Sequence, residues 1–229
     1  MSQYLYLTLN IATISIPLLA SFYKKAPFYK EWKYVLPSII VTGLFFCIWD
    51  DVFTDLKIWG FNDRYTLGIK LGSLPLEEIL FFFCIPYACL FTYFALKHLI
   101  EKDYFFLQQE LISSTIILLS LIIGIYFSSK LYTTTTFILL GITLALQLLK
   151  LKTRYMGRFY FFFLIILIPF FIVNGILTGS FIEEEVVWYN HTENLNIRIG
   201  TIPIEDAFYG MLLLLCNVMM YEELKEKFR

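Results

Sequence analysis

Two pairs of adjacent carboxylates, Glu77–Glu78 and Glu205–Asp206, are the residues best placed to do chemistry in this chain. Each pair stands at the head of a long apolar run, ILFFFCIPYACLFTYFAL after the first and AFYGMLLLLCNVMMY after the second. Carboxyl groups at the edge of a hydrocarbon region are costly unless paired or functional. Desolvation and a second carboxylate favour the protonated acid, whereas the positive end of a helix dipole favours the anion. Opposed influences of this kind suit general acid–base work, in which one group holds a proton and another accepts one. Adjacent acids on a helix point about 100° apart. One member of each pair can therefore face the bundle interior, and the sequence does not say which.

The motif is written twice. Residues 61–78, FNDRYTLGIKLGSLPLEE, meet residues 189–206, YNHTENLNIRIGTIPIED, at an ungapped shift of 128 positions. Of the 18 aligned pairs six are identical, among them Asn62/Asn190, Gly72/Gly200, Pro75/Pro203 and Glu77/Glu205, and seven more keep their chemistry. A repeat at this distance dictates the architecture, so it is read before any single element. Pro75 and Pro203 are expected in the first turns of their helices, where a fixed φ helps and no hydrogen bond is lost. Ser73 and Thr201 are placed to cap, Gly72 and Gly200 to let the chain turn, and Asn62 and Asn190 to orient a carboxylate or cap a turn. Asp50, Asp51 and Asp55 do not keep the spacing of an aspartate-rich diphosphate motif. The shifted copy places Thr178 and Gly179 opposite Asp50 and Asp51. They read as a polar helix end, with Asp51 in a supporting role.

The elements that carry these residues are membrane spans. The chain has 229 residues, 59% of them hydrophobic and 16% charged, with a mean hydropathy of +0.69. An ordinary soluble domain is about half apolar and a quarter charged. Seven segments, near 3–22, 33–53, 74–98, 108–127, 131–150, 158–180 and 203–221, are long and apolar enough for a hydrocarbon core of about 30 Å. The shift maps the first three onto the last three and leaves the fourth alone. The expected fold is an all-α integral membrane protein with two parallel three-helix repeats, 1–100 and 131–229, joined by a connector helix within 101–130. Three is odd, so the extra crossing restores the orientation of the second copy and puts both motifs on one side. The first, third and fifth inter-helix loops and the C-terminal tail hold 13 of the 18 Lys and Arg residues. By the positive-inside rule that side is cytoplasmic, the N-terminus lies outside, and the cell (inner) membrane is the expected location. The first apolar segment lacks a basic n-region and cleavage site and reads as a retained span.

Other classes of chemistry find no support. No basic cluster has a nucleic-acid footprint, and neither a dinucleotide fingerprint nor a P-loop occurs. His98 and His191 stand alone, so no metal site is expected. Cys47, Cys84, Cys89 and Cys216 lie in apolar segments with no C-x-x-C pair, as buried small hydrophobes do. The acid run Glu183–Glu185 reads as a solvated loop. Aromatic residues make up 19% of the chain. Most can face lipid, and a pocket for a polyene or a carbocation would use the same rings.

With the repeat and the acids in place, the chain resembles the fused, two-domain form of the heterodimeric-type lycopene cyclases of carotenoid-producing bacteria, archaea and fungi. The resemblance rests on Pro75-Leu76-Glu77-Glu78 and Pro203-Ile204-Glu205-Asp206, a P-x-E-[EDQ] motif in each half. Trp59-Gly60-Phe61-Asn62, Val187-Trp188-Tyr189-Asn190 and Ile197–Thr201 add to it. It spans nearly the whole chain, the main departure being Asp206 where the first half has Glu78. It implies closure of the ψ-ends of lycopene to β-ionone rings, a redox-neutral isomerisation without a cofactor. It also implies a linear carotenoid in the bilayer as substrate, and other pathway enzymes as possible neighbours. Glu77 and Glu205 are then the leading candidates for acid and base, with Glu78 and Asp206 beside them. A related hydratase or a one-ring cyclase is the nearer alternative, and a small transporter or channel is the alternative of another class.

Overall fold

The computed structural model describes residues 2–151 and 155–228. Lys152, Arg154 and Arg229 of the basic tally lie outside the described residues. Among the described residues seven helices are long and apolar enough to cross a membrane. They are α1 (Leu5–Ala20), α2 (Trp32–Asp55), α3 (Leu76–Leu99), α4 (Gln109–Tyr126), α5 (Leu131–Leu146, continued by a π-turn at Gln147–Leu151), α6 (Met156–Leu177) and α7 (Ile204–Lys227). Large apolar side chains such as Ile16, Leu19, Ile48, Ile125 and Ile168 point outward. In a bilayer that surface meets lipid, and intrahelical bonding satisfies the backbone polar groups. The chain is an all-α integral membrane protein of two parallel repeats and a connector.

Packing repeats with the sequence. α1 lies along α3 as α5 lies along α7, and α2 packs on α3 and α7 while α6 packs on α7 and α3. The connector α4 runs along α5. Small residues bring these two close: a Cβ on Gly124 would fall 2.7 Å from Ile138 Cγ1, and one on Gly141 3.1 Å from Leu121 Cδ2. The central core joins both repeats through Phe46, Phe82, Tyr93, Phe162, Leu214 and Leu215.

Short strands fix the two motif loops to each other. β1 (Trp59–Phe61) pairs antiparallel with β4 (Val187–Tyr189), in the register Trp59↔Tyr189, Gly60↔Trp188 and Phe61↔Val187. Gly60 and Trp188 are repeat equivalents, so this ladder is centred on the pseudo-twofold axis between the copies. Both motif loops therefore lie on one face. The centre needs glycine, because a Cβ on Gly60 would run into the Trp188 indole.

In each half a second ladder leads into the motif helix. β2 (Lys70–Leu71) pairs with β3 (Leu74–Pro75), and β5 (Arg198–Ile199) with β6 (Ile202–Pro203). Gly72 and Gly200 both sit at φ +64, at the first turn position, where a hairpin with the right twist demands positive φ.

The expected capping is corrected here. Pro75 and Pro203 end their ladders with extended backbone and stand one residue before the helix, and no side chain caps either start. The first helical N–H groups are instead satisfied by loop carbonyls, Leu76 N–H donating to Ile69 O (2.8 Å) and Ile204 N–H to Ile197 O (2.9 Å).

Candidate active site

The hairpins place the two acids of each motif in different surroundings. Glu77 and Glu205 are 0% exposed and turn back toward their own loops. Glu77 Oε1 accepts from Leu67 N–H at 2.7 Å, and Glu205 Oε1 accepts from Leu195 N–H and the Thr133 hydroxyl, each at 2.7 Å. Asn10 Nδ2 donates to the Glu77 carbonyl at 2.8 Å. Glu78 and Asp206, one step further round the helix, face inward. Both line a single cavity of about 350 Å³ between the repeats.

That cavity has a polar head and an apolar body. Asp50, Trp59, Tyr132, Asn174, Tyr189 and Tyr209 join Glu78 and Asp206 at the head. The body continues between α1, α3, α6 and α7 past Thr13, Pro17, Ile85, Ala88, Cys89, Ile166, Pro169 and Leu213. From Glu78 to Thr92 its wall follows α3 for roughly 21 Å at a rise of about 1.5 Å per residue. The rings at the head touch one another: Trp59 and Tyr132 lie 5.0 Å apart at their centroids, Tyr132 and Tyr189 5.9 Å, and Trp59 and Tyr209 6.2 Å.

The two inward carboxylates differ in their donors. Tyr6 on α1 donates to Glu78 Oε2, and Glu78 makes no other side-chain hydrogen bond among the described residues. Its counterpart Tyr132 on α5 donates to Asp206 Oδ1. Asp206 Oδ2 also accepts from Asn174 Nδ2 and from the Tyr189 hydroxyl, each at 2.8 Å. Three donors thus surround the Asp206 carboxylate, against one at Glu78. Burial and the Asp206 carboxylate push the Tyr189 phenol well above its ordinary value, so it remains a donor.

The supporting residues hold the loops. Asp51 Oδ1 accepts from Ser73 N–H at 2.7 Å and clamps the first hairpin. The second is held by the Thr201 hydroxyl, which lies 2.8 Å from those of Thr178 and Ser180. Asn62 and Asn190 cap turns: Asn62 Oδ1 accepts from Arg64 N–H at 3.0 Å and Asn190 Oδ1 from Thr192 N–H at 3.1 Å. Neither asparagine touches a motif carboxylate. The acid run is engaged as well as exposed, since Arg64 pairs with Glu183 and lies 3.8 Å from Glu184. The described residues hold no cluster of three metal-ligating side chains.

Sequence reasoning missed Tyr6, Tyr132, Asn174 and Tyr209, read Asp50 only as part of a polar helix end, and named Tyr189 without a role at the cavity. The tyrosines of α1 and α5 carried a signal, since Tyr6 and Tyr132 match at a shift of 126 instead of 128.

A buried set of carboxyl groups stands at the head of an apolar, ring-lined cavity within the bundle, an arrangement that can hold and transfer protons beside a long apolar molecule. A sequence model of the family described as lycopene cyclase matches residues 3–96 and again 129–224, segments that begin 126 residues apart and end 128 apart. The chain belongs to the lycopene cyclase family, whose substrates are carotenoids. No curated protein and no solved structure matches.

Proposed function

We propose that the protein closes the linear ψ-ends of lycopene into β-ionone rings, at one site that takes the two ends in succession. The observation that carries this reading is the single cavity lined by Glu78 from one repeat and Asp206 from the other. The apolar body along α3 suits the polyene, and the polar head suits the reacting end.

Ring closure begins with a proton from a carboxylic acid of the cavity to the terminal alkene. The second alkene then attacks the tertiary cation, and loss of a ring proton leaves the ring double bond. Substrate and product are isomers, so electrons balance without an oxidant or reductant. Asp206, held as an anion by Tyr132, Asn174 and Tyr189, faces the developing cation as a fixed charge. The faces of Trp59, Tyr132, Tyr189 and Tyr209 add to that stabilisation. Glu78, with one oxygen held by Tyr6, takes the ring proton. Glu77 and Glu205 act as positioning residues, because their bonds run to loop backbone and, for Glu205, to the Thr133 hydroxyl, and neither lines the cavity. The expectation that they are the acid and base gives way to that role.

The reading extends to organisation and orientation. The repeats 1–100 and 131–229 act as one catalytic unit around the connector. The N-terminus and the motif loops lie outside the cell membrane and the C-terminus in the cytoplasm, as the basic residues favour. Expression in a lycopene-accumulating bacterium, with chromatography of the pigments, tests the function. Cyclic carotenoids are expected. Unchanged lycopene with the protein present in the membrane contradicts it, and a hydroxylated linear product favours the hydratase.

A further inference from the structure

The cavity contains a third carboxyl group that the repeated motif does not announce. Asp50 sits on α2, five residues before its end, and is 3% exposed. Trp59 Nε1–H donates to its Oδ1, while Oδ2 is buried with no hydrogen-bond partner. A buried carboxylate with an unpartnered oxygen is costly as an anion, and a proton on that oxygen removes most of the cost. Glu77 Oε2 and Glu205 Oε2 are unpartnered too, but neither residue reaches the cavity wall. Asp50 does. With Asp206 held as the anion and Glu78 bonded by Tyr6, the cavity still needs a neutral acid, and carboxyl groups sharing a dry site cannot all ionise.

We infer that Asp50 is the catalytic acid, giving the Oδ2 proton to the terminal alkene of the carotenoid. In that step the O–H bond breaks as a C–H bond forms at the alkene, leaving the Asp50 carboxylate and a tertiary cation. The second alkene's electron pair closes the ring, and the ring proton passes to Glu78. Transfer of that proton from Glu78 back to Asp50 restores the starting state, so no outside reagent is consumed. The Tyr209 hydroxyl is buried and unpartnered, and its ring packs 6.2 Å from Trp59 and 6.2 Å from Tyr132, the residues that hold Asp50 and Asp206. It lines the same cavity as Glu78 and Asp50.

The inference rests on the cyclase reading, so wild-type protein is assayed in parallel with Asp50→Asn and Asp50→Glu in lycopene-loaded liposomes. Asn keeps an oxygen for the Trp59 N–H and removes only the acid. A merely structural Asp50 would tolerate that change. The expected result is a loss of ring closure of a hundredfold or more, as for a general acid, with lycopene binding retained by its absorbance shift. Asp50→Glu keeps an acid and should lose less than tenfold. Its protonated-carboxyl C=O stretch in the infrared should move from the wild-type position, a reading that stands even where Asp50→Asn does not accumulate. Ring closure by Asp50→Asn above a tenth of wild type, or a stretch unmoved in Asp50→Glu, overturns the assignment. Wild type that leaves lycopene linear defeats the cyclase reading itself.

Discussion

Removing one inward carboxylate distinguishes one shared site from two independent ones. Asp206→Asn keeps the side-chain shape and most of its bonds. With the amide oxygen turned toward Asn174 and Tyr189, both donors stay satisfied, and the amide nitrogen can donate to the Tyr132 hydroxyl. The Tyr132 O–H is then the one donor that loses its acceptor, at a cost of about 1–3 kcal/mol, which the fold should withstand. What disappears is the fixed negative charge. Losing one preorganised electrostatic group typically costs about 10²–10³ in rate, or roughly 3–4 kcal/mol of barrier. Glu78→Gln leaves the Tyr6 donor an amide oxygen and removes the proposed base, a loss of about 10²–10⁴. In liposomes loaded with lycopene, chromatography separates linear, one-ring and two-ring products. Because both residues line the same cavity, each variant alone should suppress both rings and leave lycopene. Accumulation of the one-ring product at near the wild-type rate in either variant would mean that each half serves its own end of the polyene, and would refute the single site.

Three further outcomes follow from the same geometry. Glu77→Gln should keep ring closure within about tenfold, since an amide oxygen still accepts from Leu67 N–H, whereas Glu77→Ala leaves that N–H without its acceptor at a cost of about 1–3 kcal/mol; equal loss in both would return Glu77 to the chemistry. Gly72→Ala and Gly200→Ala each meet a left-handed penalty of roughly 1–2 kcal/mol, but only at Gly72 would the new Cβ fall 2.5 Å from Asp51 Oδ1. Thermal melts should place Gly72→Ala below Gly200→Ala, and the reverse order would contradict the Asp51 clamp. Cysteines at Asp63 and His191, exposed and equivalent in the repeat, should both react with an impermeant thiol reagent in intact cells after the native cysteines are replaced. Labelling of both only after permeabilisation would invert the proposed orientation. Thr66, though in the same loop, is buried and unsuited to the measurement.

Much of this fold was legible because its determinants are local. Span lengths, the odd connector and the shared motif depend on composition and spacing, and the β1–β4 ladder confirms that both motif loops share a face. What was not legible depends on helix phase and on register between segments. Glu77 and Glu78 are both acidic and adjacent, and only packing of α3 against α1 and α2 decides which faces the cavity. Tyr6 and Tyr132 escaped an ungapped comparison because the first helices match at 126 and the motifs at 128. Asp50 was set aside for a similar reason. α2 runs to Asp55 and reaches β1 at Trp59, whereas α6 ends at Leu177 and β4 begins only at Val187. One shift cannot align both the helices and the strands across that difference. The capping expectation for Ser73 and Thr201 failed because the hairpin carbonyls of Ile69 and Ile197 satisfy the helix starts first.

Duplication by itself would make two equal carboxylates, and equal groups cannot divide the labour of giving and taking a proton. The structure breaks that equality around a symmetric frame. Tyr6 and Tyr132 serve Glu78 and Asp206 alike. Around them the halves diverge. Where β4 offers the Tyr189 hydroxyl to Asp206, the equivalent residue of β1 is Phe61, which has nothing to donate to Glu78. Where α6 supplies Asn174 as a donor, α2 supplies Asp50, an acid. Where β1 carries Trp59 to hold that acid, the equivalent residue of β4 is Val187. On the proposed mechanism the second half keeps a negative charge, and the first keeps a proton and receives one. Closing a ring through a cation needs both at the same head of the same cavity. The pseudo-twofold axis brings the two carboxylates there, and on the proposed mechanism the substitutions beside it set the direction in which the proton moves.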